Sequence, residues 1–130
     1  MTLEVTTPPP RAARIGFWAV AALGPFAALL SWGWFGLAQI EAQTEQCKAL
    51  AANTSMAGFG ELVGGVPLIV AHVVGLAVLV ALGRKGYGQH GIAIAIAAVL
   101  VASLIGLGVV LYLTGGALFD AGVGSASCAP

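Results

Sequence analysis

The sequence predicts an all-α integral membrane protein with three transmembrane helices, its N-terminus cytoplasmic and its C-terminus external. Three observations carry that expectation. The 130-residue chain is 59% hydrophobic and only 8% charged, with a mean hydropathy of +0.99, whereas water-soluble domains carry about 25% charged residues. Three uncharged apolar segments each reach the roughly 20 residues that a helix needs to cross a bilayer. Of the five Lys and Arg residues, all but Lys48 fall on the side that also holds the N-terminus, as the cytoplasmic excess of basic residues demands.

The elements follow in order. Residues 1–14 form a polar head whose Pro8, Pro9 and Pro10 favour extended polyproline backbone, and it reads as a cytoplasmic tail. The first span is Ile15–Ala38. Arg11 and Arg14 precede it much as basic residues precede a signal peptide. Its 24 apolar positions nevertheless exceed the roughly 7–15 of a signal core, and no A-x-A cleavage site follows it closely, the next residues being Gln39, Ile40 and Glu41. We read it as a retained helix. Phe17 and Trp18 mark its inner end, and Trp32, Trp34 and Phe35 its outer end, where amphipathic rings favour the headgroup zone.

Residues 39–60 form an external loop. Its Glu, Gln, Ala, Leu and Lys residues are good helix formers, so either helix one continues past the membrane or a short surface helix forms. Asn53-Thr-Ser matches a glycosylation sequon, which matters only in a eukaryotic secretory pathway. Abundant Ala and Gly, with Arg exceeding Lys, fit a GC-rich bacterial genome and hence the plasma (inner) membrane. The second span is Leu62–Leu82 and the third Ile92–Phe119. A cytoplasmic turn, residues 83–91, joins them and carries Arg84 and Lys85; residues 120–130 form an external tail.

Under this threading Cys47 and Cys128 are both external, where disulfides persist. A Cys47–Cys128 bridge would staple the loop after helix one to the end of helix three; two free thiols are the alternative.

Small residues mark where helices meet in lipid, because they permit close backbone approach. The second segment supplies Gly60, Gly64, Gly65 and Gly75, and the third supplies Gly91, Ala95, Ala98, Ala102 and Gly106 at spacings that form one helical stripe. Pro25 and Pro67 remove amide donors from the carbonyls of Ala21 and Val63, predicting kinks whose freed carbonyls find other partners.

His72 sits in the middle of PLIVAHVVGLAVLV. On a regular helix Glu61 falls within roughly 20° of it, on a side shared with Gly65 and Gly75. The two are about 16 Å apart along the axis and cannot pair directly. Ser31 and Ser103 are the hydroxyl candidates for the imidazole. A proton relay would need more titratable groups, and haem ligation a second histidine, whereas His90 lies in the cytoplasmic turn. A structural histidine bonded across a helix interface is the preferred reading. There is no G-x-S-x-G, no P-loop and no His/Cys cluster in the sequence. The reading is therefore of a non-enzyme without a metal or other cofactor.

The expected function is that of a small accessory or scaffolding subunit of a larger bacterial membrane complex, respiratory or otherwise energy-transducing. Its partners would be other integral membrane subunits and the lipid bilayer, not nucleic acid. Two other readings stand beside it. One is an oligomeric proton or small-molecule transporter using the Glu61/His72 face. The other is an assembly factor or sensor acting through the head or the external loop.

Overall fold

The computed structural model describes residues 11–56 and 58–116. Among these the regular structure is all helical, in three helices: α1 (Arg11–Ala51), α2 (Val66–Tyr87) and α3 (His90–Leu113), with a π-helical segment, Gly60–Gly65, leading into α2. All three are long and apolar enough to cross a membrane. The head (residues 1–10) and residues 117–130, including Cys128 and the end of the expected third span, lie outside the described residues.

Helix α1 has 41 residues, about 60 Å at 1.5 Å per residue, or twice the roughly 30 Å hydrocarbon thickness. Residues 39–51, taken from the sequence as loop, are thus the continuation of α1. The turn between α2 and α3 is tighter than residues 83–91. Gly83–Tyr87 complete α2, His90 and Gly91 open α3, and only Gly88 and Gln89 reverse the chain. Gly88 has φ +63°, a conformation that costs glycine nothing.

Pro67 causes less disruption than an interior proline would. The π-helical stretch ends at Gly65 and the α-helix begins at Val66, so Pro67 occupies the first turn of α2. There its missing N–H is not required. The carbonyl of Val63, which Pro67 leaves without an α-helical donor, accepts the indole N–H of Trp34 at 2.9 Å.

Each helix packs on the other two, and small residues do most of that packing. Ala13, Ala28, Gly36, Ala38 and Ala42 of α1 are buried, as are Gly91, Ala95, Ala102 and Gly106 of α3. The approach is closest between Gly83 and Gly91, where a Cβ on Gly91 would strike the backbone of Gly83. A Cβ on Gly106 would lie 2.8 Å from the backbone of Ala28, and one on Gly64 3.0 Å from the Ala38 side chain. Phe17, fully buried against Leu79 and Ala95, is the one large side chain in the core. Leu23, Phe26, Leu30, Ile69, Val73, Leu100 and Leu104 are instead exposed. Large apolar groups outside and small ones inside reverse the pattern of a water-soluble core and suit helices whose association depends on close contact.

Candidate functional site

Midway along the bundle, the imidazole of His72 is half-buried among apolar residues. Its Nδ1 lies 2.8 Å from the carbonyl of Leu68, one turn back on α2, and its Nε2 lies 3.0 Å from the Ser103 hydroxyl on α3. Trp32 of α1 donates its indole N–H to the same hydroxyl at 3.1 Å, with its ring edge-on to the imidazole at 6.4 Å. One side chain from each helix thus meets at Ser103.

The direction of donation follows from chemistry. A carbonyl can only accept, so Nδ1 carries a proton; an indole can only donate, so Ser103 Oγ accepts from Trp32. In the neutral ring Nε2 is then an acceptor, and the Ser103 hydroxyl donates to it. Trp32, Ser103, His72 and the Leu68 carbonyl form one chain in which each group meets a compatible partner. Of the two serines considered from sequence, Ser103 is the imidazole's partner. Ser31 donates to the Ala28 carbonyl of its own helix at 3.0 Å. Trp32, assigned from sequence to the outer aromatic belt, is turned inward and half-buried. An indole opposite a lone serine at similar depth was the signal for it.

Beside the imidazole is a cavity of about 160 Å³, walled by Gly24, Ala28, His72, Gly75 and Ala102. Gly75 leaves open space where a Cβ would stand, as does Gly65, so neither is held by a close contact. Ala98 is half-buried and lines the same cavity.

Glu61 is exposed, whereas His72 faces α3. The regular 100° step that aligned them does not apply through Gly60–Gly65, because a π-helix closes its hydrogen bonds over five residues and turns less per residue. Gly60 and Gly64 of the same segment are buried against Gln39 and against Phe35 and Ala38 of α1.

A second polar cluster joins the N-terminal end of α1 to the C-terminal end of α2. Arg14 donates from Nε to the Gly86 carbonyl at 2.9 Å, and its guanidinium lies 5.2 Å from the centre of the Tyr87 ring. Gly86 supplies one of the four terminal carbonyls that α2 itself leaves unpaired. Trp18 donates to the Tyr87 hydroxyl at 2.7 Å, and Phe17 packs edge-on against both rings. Arg11, Arg84 and Lys85 are exposed nearby in sequence. Sequence reasoning identified the four basic residues and passed over Tyr87, whose position at the end of α2 was the available clue.

At the far end of α1, Gln46 is buried and accepts the backbone N–H of Met56 at 2.9 Å. Lys48 pairs with Glu45 at 2.6 Å; that hydrogen bond and the neighbouring negative charge raise the lysine above its ordinary pKa. Cys47 is half-buried on α1, and its expected pairing with Cys128 involves a residue outside those described. Comparison of the chain with protein-family models, with curated proteins and with solved structures finds no match in any of the three.

Proposed function

We propose that this chain is a membrane-embedded, non-catalytic accessory subunit of a larger bacterial inner-membrane complex, threaded with its N-terminus cytoplasmic. The observation that carries the reading is a groove between α1 and α3, lined by Leu30, Gly33, Gly36, Leu37, Val110 and Leu113. Gly33 has nothing within 4 Å of where a Cβ would stand. A helical glycine costs about 1 kcal/mol relative to alanine, and no contact among the described residues requires one at position 33. A transmembrane helix of a partner subunit seated in the groove would require it, because small residues admit a neighbouring backbone.

The polar chain at His72 supports the same reading. Both ring nitrogens are engaged by partners within the chain, so the imidazole locks three helices into one unit. Such a unit acts through its outward surface. An energy-transducing assembly is the proposed setting, and a Cys47–Cys128 bridge on the external side would tie the end of the chain to α1.

Purification of the full-length protein from its native membrane in mild detergent tests the reading, with Gly33→Leu alongside wild type. The expected result is a defined set of integral membrane subunits with wild type and their loss with Gly33→Leu, whose helical content stays unchanged. A monodisperse homo-oligomer with nothing attached would overturn it.

A further inference from the structure

The end of the bundle where α1 begins and α2 meets α3 has an uncompensated charge. Arg11, Arg14, Arg84 and Lys85 are all exposed there. Among the described residues that end has no carboxylate: Glu41, Glu45 and Glu61 belong to the opposite end, as does the Lys48–Glu45 ion pair. Glu4 of the head lies outside the described residues.

One of these cations is held in place. The Arg14 guanidinium is fixed by its bond to Gly86 and by the Tyr87 ring beneath it. Only Nε is used in that bond, so the four N–H groups on its two Nη atoms remain as donors. A planar guanidinium with a free donor edge matches the paired oxygens of a phosphate. The Trp18–Tyr87 pair marks this level as the headgroup zone, where such rings partition. Ile15 and Trp18, 71% and 58% exposed on the same turns of α1, offer apolar surface directly beside the charge.

We propose that this end binds the phosphate of an anionic phospholipid, with Arg14 as the oriented fork and Arg84 and Lys85 as flanking charges. Cations and apolar surface placed side by side match a headgroup with its acyl chains better than a soluble anion. The inference rests on the membrane reading of the chain and is independent of the subunit reading: the isolated chain is expected to show it whether or not other subunits co-purify.

Native mass spectrometry of the full-length protein, equilibrated in detergent with equimolar phosphatidylglycerol and phosphatidylcholine, tests it. Wild type is expected to retain phosphatidylglycerol in preference to phosphatidylcholine by roughly 25-fold, with roughly a fivefold loss for each of Arg84 and Lys85 neutralised. Arg84→Gln/Lys85→Gln, which removes no side-chain hydrogen bond or ion pair among the described residues, should bring the ratio close to one with helical content intact. Arg14→Lys, which keeps the charge and loses the fork, should lower it in part. Equal retention of the two lipids by wild type would overturn the proposal, as would an undiminished preference in the double variant. Displacement of phosphatidylglycerol by inorganic phosphate, but not by chloride at equal ionic strength, would assign the site to soluble phosphate and overturn the lipid.

Discussion

His72 Nε2 and the Ser103 hydroxyl stand 3.0 Å apart across α2 and α3, and the same hydroxyl receives the Trp32 indole N–H from α1. Ser103 is therefore the joint of the three-helix unit. Ser103→Ala leaves an imidazole nitrogen and an indole N–H without partners, for which a cost of about 1–2 kcal/mol is expected. Thermal unfolding in detergent measures it. Ser103→Thr, which keeps the hydroxyl, should lose less. Equal stability of Ser103→Ala and wild type would remove the joint from the account.

Gly91→Ala drives a methyl group into the backbone of Gly83. Backbone cannot swing aside as a flexible side chain can, so the α2–α3 turn must open, at a cost of roughly 1–3 kcal/mol. Gly108→Ala, with open space at the new Cβ, should be neutral or gain helix propensity, up to about 1 kcal/mol. The contrast between the two in one unfolding assay is the check.

Trp34 and Pro67 should be energetically coupled through the Val63 carbonyl. Trp34→Phe removes the 2.9 Å bond to that oxygen at a cost near 1 kcal/mol. In a Pro67→Ala background the restored amide offers the carbonyl another donor, so the same substitution should cost less. A double-mutant cycle reads the difference; strictly additive effects would separate the two residues.

Lys48 gives a pH expectation of known sign. Its pKa is raised by Glu45, so any stabilisation it provides is complete below the ordinary lysine value of 10.5 and is lost as pH rises through the higher folded value. The pair is solvent-exposed and screened. The difference in melting temperature between wild type and Lys48→Met should be small and constant between pH 6 and 9, and should vanish in strong alkali.

A Cys47–Cys128 bridge, as proposed, would protect both thiols. Oxidised native protein should take up no maleimide label and shift in mobility only on reduction, and labelling of both cysteines would exclude it.

Composition and periodicity determined that the chain is three apolar helices, because the length and hydropathy of each segment are local quantities that need no neighbour to be read. The stripe Gly91, Ala95, Ala98, Ala102 and Gly106 could be read in the same way, since helical spacing alone aligns it; all but the half-buried Ala98 are buried in the structure. Ser103 could be named as a candidate from its depth. Its choice over Ser31 depended on which helix faces His72, and only packing decides that. The π-helical turn at Gly60–Gly65 was not legible, because its register answers to Pro67 and to the fit of Gly60 and Gly64 against α1. Across that turn the regular 100° step no longer relates Glu61 to His72. Trp32 turned inward, and Tyr87 joined Arg14, for the same physical reason. A hydrogen bond between helices exists only once their backbones have approached, and the glycines and alanines that allow the approach do not specify which side chains will meet.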